Sequence, residues 1–171
     1  PSWSPNKKRI AFASHRDGNW EIYWMNAEGD ELTRVTHNPA TDTEPAWSPN
    51  GDYIAFTSDR DNNREIYTMD PEGQDVRRIT HNPASDEAPA WSPGWSRIVF
   101  QSDRSGSWDI YSIRADCRSA AEADCDLRRL TNDQADDMLP AWSPDGTHIV
   151  FVSNRDDSDP AETPKRVVLR R

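Results

Sequence analysis

Three aspartates recur at one position of a repeated sequence pattern and are the residues best placed to do chemistry. Asp42, Asp86 and Asp137 each stand three residues before the proline of a following PAWSP motif. A ring of carboxylates at this position could attract a cation or a basic segment of a partner. Each aspartate could instead close a turn or pair with a repeated arginine. Catalysis by paired carboxylates would need a fixed spacing and raised pKa values, which a sequence does not reveal.

Histidines and arginines with a similar recurrence complete the set of candidate site residues. His37 and His81 share one repeat position. Three arginines each precede an acidic residue by five positions, which predicts cross-strand ion pairs worth about 0–1 kcal/mol each. The expected pairs are Arg16 with Glu21, Arg60 with Glu65 and Arg104 with Asp109. The candidate binding residues are His37, Asp42, His81, Asp86, Asp133, Asp137, Arg16, Arg60 and Arg104.

Motifs of familiar enzyme classes are missing from the sequence. No two histidines have the i, i+4 spacing of zinc hydrolases, and there is no G-x-S-x-G nucleophile elbow or G-x-x-x-x-G-K phosphate loop. We therefore predict a non-catalytic protein with no catalytic residue, no metal site and no cofactor.

Charge and hydropathy narrow the class of partner. Asp and Glu outnumber Lys and Arg by 30 to 20, which gives a net charge of -10. Because an acidic surface repels phosphate backbones, nucleic-acid binding is not expected. No apolar stretch approaches the roughly 20 residues that a membrane-spanning helix needs. The expected partner is a protein, and the charge of this chain favours one with a basic surface.

A repeat explains how these residues are positioned. The motif PxWSP stands at residues 1–5, 45–49, 89–93 and 140–144, so the successive spacings are 44, 44 and 51 residues. We divide a single domain, 1–171, into four repeats, of which the first and last are incomplete. The repeats are 1–44, 45–88, 89–139 and 140–171.

Each repeat contains short segments rich in Ile, Val, Phe and Tyr, separated by turn-forming residues. Four such strands in 40 to 50 residues are typical of a β-propeller blade, in which strands A to D form a four-stranded antiparallel sheet. The predicted fold class is therefore all-β. Strands B and C are expected to form hairpins: Arg9–Ser14 with Glu21–Asn26, Tyr53–Ser58 with Glu65–Asp70, and Arg97–Ser102 with Asp109–Arg114.

The order of strands sorts the loops onto two faces. In a four-strand meander the A–B and C–D turns fall on one face of the propeller, and the B–C turns and D–A connections fall on the other. The candidate binding residues all belong to the second group. We therefore expect the functional surface on the face of the B–C turns and D–A connections.

The segments PAWSPDG, IVFVSNRD, EIYTMDPEG and RRITHNPA resemble the repeat of TolB-type, WD-like propellers over roughly residues 1–155. Related blades occur in tricorn-like and prolyl-oligopeptidase-like proteases. The resemblance implies a scaffold for protein contacts, in the periplasm or outside the cell. It also implies a six-bladed ring preceded by a small α/β domain, and this chain shows neither. The alternative function is the substrate-gating propeller of a serine peptidase, and a third is a cation-dependent or sugar-lytic enzyme.

Eight tryptophans fall into two groups. Those at one position shared by all repeats are expected to pack between blades as structural core: Trp3, Trp47, Trp91 and Trp142. Those without full repetition are better candidates for an exposed contact surface: Trp20, Trp24, Trp95 and Trp108.

The two cysteines bracket the insertion CRSAAEADC in the third repeat. A disulfide between Cys117 and Cys125 would close a surface loop where other repeats make a short turn. Such a bond is typical of an oxidising compartment, whereas cytosolic thiols stay reduced. Two free thiols in a mobile loop are the alternative.

The ends of the pattern predict an open arc of blades or part of a larger propeller. The first repeat keeps only Pro1–Trp3 of its inner strand. The pattern fails after Arg155, where only Arg166–Leu169 could form a strand C. In an open arc the free edges would be covered by another chain or by further blades, whereas a closed four-bladed ring would have none.

Overall fold

The computed structural model describes residues 1–155 and the backbone of residues 165–170, and it consists almost entirely of four small antiparallel sheets. Blade 1 contains β1 (Ser2–Trp3), β2 (Arg9–Ser14), β3 (Glu21–Asn26) and β4 (Thr33–Arg34). Blade 2 contains β5 (Asp42–Trp47), β6 (Ile54–Ser58), β7 (Glu65–Met69) and β8 (Arg77–Arg78). Blade 3 contains β9 (Asp86–Trp91), β10 (Arg97–Ser102), β11 (Asp109–Arg114) and β12 (Arg128–Arg129). Blade 4 contains β13 (Asp137–Trp142), β14 (His148–Ser153) and β15 (Lys165–Arg170).

The central hairpins confirm the predicted strand pairing. β2 pairs with β3, and β10 with β11, over the full predicted lengths. In blade 2 the two strands are Ile54–Ser58 and Glu65–Met69, so each lacks one terminal residue of the prediction. The two middle strands of blade 2 are buried along their whole length, because the blades on either side cover both faces of its sheet. The all-β propeller fold is therefore confirmed.

Strand A of each blade is the element that joins one blade to the next. β5 packs against β1, β2 and β3, and β9 and β13 repeat this contact with the blades before them. The buried cluster at the first boundary combines Ile22 and Val35 of blade 1 with Trp47 and Phe56 of blade 2. Since strand A begins at the recurrent aspartate, Asp42, Asp86 and Asp137 lie at these boundaries.

The recurrent tryptophans do not all lie in the core. Trp47 and Trp91 are buried against the preceding blade, and Trp142 is half-buried in the same position. Trp3 is 54% exposed, so the prediction that it is a core residue is wrong. The physical reason is that each of these rings is covered by the blade before its own, and none of the described residues covers that side of blade 1.

The insertion of blade 3 is a folded element. Cys117 and Cys125 form a disulfide with Cα atoms 5.2 Å apart, within the range that such a bond requires. A 3₁₀ helix over Glu122–Cys125 lies inside the loop that the disulfide closes and ends at its second cysteine. Both cysteines are buried in the cluster that contains Trp91 and Ile113. The insertion therefore packs into the boundary between blades 2 and 3 and is more than the surface loop that the sequence predicts.

The four blades form an open arc. Among the described residues, strands of neighbouring blades contact each other, but no strand of blade 1 contacts a strand of blade 4. β15 pairs with β14 along six residues, which confirms a strand C at the predicted place, whereas residues 156–160, where the repeat pattern is lost, lie outside the described residues. Nowhere in the described ranges does a helix have the length and hydropathy needed to span a bilayer.

Candidate functional site

Two buried carboxylates lie on adjoining chain segments at every boundary between the described blades. One acid of each pair begins strand C of a blade, and the other begins strand A of the following blade. A backbone hydrogen bond holds the two chain segments together; for example, Asp86 N donates to Arg64 O at 2.8 Å. All six side chains are fully buried. The pairs, here called the boundary carboxylates, are Glu21 with Asp42, Glu65 with Asp86, and Asp109 with Asp137.

An arginine of the B–C turn holds each strand-A aspartate. The distances are 3.0 Å for Arg60 to Asp42, 2.6 Å for Arg104 to Asp86 and 2.8 Å for Arg155 to Asp137. Each guanidinium also donates through Nε to the serine two residues before it. It lies over an aromatic ring of strand B, where a cation is attracted to the ring face. Pairing with a repeated arginine was one of the alternatives that the sequence allowed for these aspartates, and the structure shows that pairing.

An arginine of strand D holds each strand-C acid. The distances are 2.5 Å for Arg34 to Glu21, 2.6 Å for Arg78 to Glu65 and 2.7 Å for Arg129 to Asp109. The predicted ion pairs across the B–C turn are therefore wrong. Glu65 stands directly opposite Ser58 in the ladder, while Arg60 folds back over Phe56 and Tyr67 toward strand A.

The boundary between blades 2 and 3 has a third carboxylate. Glu122 of the insertion accepts a hydrogen bond from Arg104 Nη1 at 2.6 Å and another from the backbone N–H of His81 at 2.8 Å. Glu65, Asp86 and Glu122 offer oxygens that all lie within 4.8 Å of one another. Three carboxylates here face two guanidinium groups. Burial raises the pKa of Asp86 to about 7, although Arg104 acts in the opposite direction.

These three carboxylates do not fit a bound metal ion, even though Ca²⁺ and Mg²⁺ prefer oxygen ligands. Arg104 already donates to Asp86 and to Glu122, and Arg78 donates to Glu65. A divalent cation among them would lie within a few ångströms of the Arg104 guanidinium and be repelled by it. The arginines supply the positive charge that a metal would otherwise provide.

The remaining candidate residues lie on the predicted face but do not form one cluster. Asn19 of a B–C turn donates to the carbonyls of residues 38 and 40 in a D–A connection, so these loops do share a face. His37 is exposed, and Asp133 pairs with Arg155 at 2.9 Å. Arg16 is exposed and bonds to Ser14, and among the described residues it has no acidic partner. Binding by these loops stays a prediction.

Comparisons with known proteins agree with this architecture. Residues 1–82 match the family model of the TolB beta propeller domain. The structure of putative TolB from Agrobacterium tumefaciens is 27% identical, and it matches 98% of this chain with a TM-score of 0.82. TolB from Acinetobacter baumannii is 26% identical, and it matches 99% of the chain with a TM-score of 0.76. The chain is therefore similar to TolB propellers, in sequence over residues 1–82 and in fold over nearly its whole length.

The chain covers 59% of the length of the Agrobacterium protein and 40% of the Acinetobacter protein. A structure reported for two prolyl endopeptidases also matches, at 17% identity, with a TM-score of 0.66 over 99% of this chain and 26% of that one. At that identity the likeness shows the fold alone, and the same fold serves proteins with different activities.

Sequence reasoning missed the strand-D arginines and Glu122. The strand-D arginines recur before a hydrophobic residue and threonine in RVT, RIT and RLT, and that recurrence was available as a signal. Glu122 has no counterpart in the other repeats. Only the fold of the insertion brings it to Arg104.

Replacing Asp86 by asparagine is expected to be less costly at high pH. The unfolded chain loses the Asp86 proton near pH 3.9, while the folded chain holds it up to about pH 7. The ionisation therefore lowers the free energy of unfolding as the pH rises from about 4 to 7. We expect the destabilisation by Asp86→Asn to shrink by about 2 kcal/mol between pH 5 and pH 8 in urea unfolding.

The matched control is Asp42→Asn, at the boundary where two carboxylates face two guanidinium groups. Comparison of the two variants separates a pH effect at the Asp86 boundary from a pH effect on the whole protein. An equal cost of Asp86→Asn at pH 5 and pH 8 would contradict the assignment of a raised pKa to Asp86.

Proposed function

We propose that this chain is a non-catalytic TolB-type scaffold that binds a protein partner in an oxidising compartment, the periplasm or the extracellular space. The observation that carries the proposal is the state of the boundary carboxylates. An acid or base in catalysis must reach the proton that it transfers. Asp42, Asp86 and Asp137 are fully buried, and each is held by an arginine. This arrangement supports a structural role for the three residues that were the best candidates for catalysis.

Exposed apolar side chains support a protein partner. Trp20 is 45% exposed on the face of the B–C turns, and Leu139 is 59% exposed in the inner strand of blade 4. Tryptophan is enriched among the residues that dominate protein binding, and exposed apolar surface marks sites of interaction. The remaining acidic surface favours a basic partner, because the chain carries a net charge of -10.

The test of partner binding is site-specific photo-crosslinking in the native host, with benzoylphenylalanine replacing Trp20 or Leu139. We expect one discrete protein adduct, and the adduct protein, once identified and purified, should bind the chain in titration calorimetry. Substitution at Glu28, an exposed residue of the opposite face, is the control. The absence of an adduct at both positions, or hydrolysis of blocked proline-containing peptide nitroanilides, would contradict the proposal.

The test of the compartment is the state of the two cysteines. We expect neither Cys117 nor Cys125 to be alkylated by iodoacetamide in denatured, unreduced protein from the native host, and both to be alkylated after reduction. Opening the loop by Cys125→Ser should lower the free energy of unfolding by about 2–3 kcal/mol. Alkylation of both thiols without reductant would contradict an oxidising location.

A further inference from the structure

A cavity of about 560 Å³ opens between blades 2 and 3, on the face of the A–B and C–D turns. Tyr53 and Arg77 line it from blade 2, while Trp91 at the end of strand A and Trp95 in the A–B turn line it from blade 3. The insertion closed by the disulfide supplies a further wall that includes Arg118. This volume is in the range of small-molecule sites. The cavity lies on the face opposite to the B–C turns, and none of the candidate binding residues lines it.

Trp95 is the most unusual residue of this cavity. Its φ is +48°, in the left-handed region that bulky side chains rarely adopt, and its side chain is 53% exposed. Blades 2 and 4 have Gly51 and Gly146 at the same position, and blade 1 has Lys7. Glycine adopts a positive φ without strain, whereas tryptophan does not. An exposed tryptophan at this position therefore suggests a functional constraint.

The geometry of the other A–B turns gives the direction of the Trp95 side chain. A Cβ at Gly51 would meet Pro5 of blade 1 at 3.2 Å, and one at Gly146 would meet Pro93 of blade 3 at 3.6 Å. This position therefore faces the preceding blade. Trp95 accordingly extends from its turn toward blade 2 and stands over the cavity.

The cavity has an aromatic floor that is already rigid. The rings of Tyr53 and Trp91 are stacked with centroids 6.4 Å apart. Trp91 Nε1 donates to Ala46 O at 3.0 Å, which fixes the orientation of the indole. Together with Trp95, these rings offer flat apolar surface to a ligand. A planar ligand could stack on them without requiring the floor to reorganise.

The cavity lining carries four arginines and two aspartates, so it has a net positive charge in a protein that is acidic overall. Arg114 pairs with Asp116 at 2.7 Å, and Arg77 pairs with Asp75 outside the cavity. Arg118 is exposed, and in the described part of the chain it makes no ion pair. A guanidinium group with free donors binds a carboxylate in a favourable planar geometry.

We propose that this cavity binds a small aromatic carboxylate. The aromatic ring lies between Trp95 and the Tyr53–Trp91 pair, and the carboxylate accepts hydrogen bonds from Arg118 at the rim. The proposal is independent of the protein partner proposed above, because that partner is expected to contact other surfaces.

The first test compares probes that differ in one property. Naphthalene-2-carboxylate is expected to bind with a Kd below about 1 mM in saturation-transfer NMR, as its size allows. Naphthalene-2-carboxamide, which lacks the charge, should bind at least fivefold more weakly, and succinate, which lacks the ring, should not bind. Equal binding of the carboxylate and the amide would overturn the proposal. Binding of the peptide acetyl-Asp-Glu-Phe-Asp-Glu-amide without binding of the naphthoate would assign the cavity to a protein segment and also overturn it.

The second test uses variants of the same chain. Trp95→Gly places glycine where φ is positive, so it should fold at least as well as the wild type and bind the naphthoate at least tenfold more weakly. Arg118→Gln should weaken binding about fivefold. Trp20→Ala, which removes an exposed tryptophan elsewhere, should leave binding unchanged. Unchanged affinity in Trp95→Gly would overturn the proposal.

Discussion

Gly73→Ala is expected to lower the free energy of unfolding by about 4 kcal/mol, the largest effect of any glycine substitution in this chain. Gly73 lies in the C–D turn of blade 2 with a φ of +79°, which disfavours any side chain. A Cβ there would also overlap the carbonyl oxygen of Val35 in blade 1 and approach its carbonyl carbon to 3.0 Å. Because both atoms are backbone, neither can move aside without separating the two blades. Urea unfolding followed by circular dichroism measures the loss.

Gly29→Ala is the matched control, because Gly29 occupies the same turn of blade 1. Its φ is +92°, but a Cβ there meets nothing within 4 Å. Only the backbone strain remains, so we expect a loss of about 1 kcal/mol. Similar losses for the two substitutions would mean that the contact between the turn and the preceding blade does not limit stability.

Strands B and C were predictable because their sequences satisfy two local conditions at once. Residues such as Ile22 and Tyr23 favour a pleated strand, and turn residues such as Gly18 close the hairpin at a fixed length. The repeat then supplied the same evidence three times. Local chemistry of this kind does not depend on how the blades pack together.

The ion pairs were not predictable from local sequence because their partners come from different strands. Arg60 was expected to bind Glu65 across its own turn. In the fold, strand D brings Arg78 to Glu65, and strand A brings Asp42 to Arg60. Both ion pairs lie within blade 2, so they are fixed by the order and register of its four strands.

The boundary between blades 2 and 3 was beyond sequence reasoning for a related cause. Glu122 stands in an insertion that the other repeats lack, so no recurrence indicates its partner. The cavity beside Trp95 likewise depends on the path of that insertion. The sequence did indicate that Trp95 differs from its counterparts, because the repeat has glycine at that position in blades 2 and 4.

Arg104→Met is expected to be the most costly of three equivalent substitutions, with a loss of about 4 kcal/mol at pH 8. Arg104 binds both Asp86 and Glu122, and its removal leaves two poorly solvated carboxylates without their cation. Arg60 binds one carboxylate, that of Asp42, so Arg60→Met should cost about 2 kcal/mol. Arg16 has no acidic partner among the described residues, and Arg16→Met should cost less than about 1 kcal/mol.

The pH dependence of the Arg104→Met cost separates the charge of this arginine from its packing against aromatic rings. Methionine keeps much of the apolar contact with Phe100 and Tyr111 but carries no charge. Because the pKa of Asp86 is raised to about 7, the carboxyl group is largely protonated at pH 5 and gains less from Arg104 there than at pH 8. We therefore expect the cost of Arg104→Met to fall between pH 8 and pH 5. Equal costs for Arg16→Met, Arg60→Met and Arg104→Met, with no change with pH, would contradict this, because packing alone would then explain why the arginine recurs in every blade.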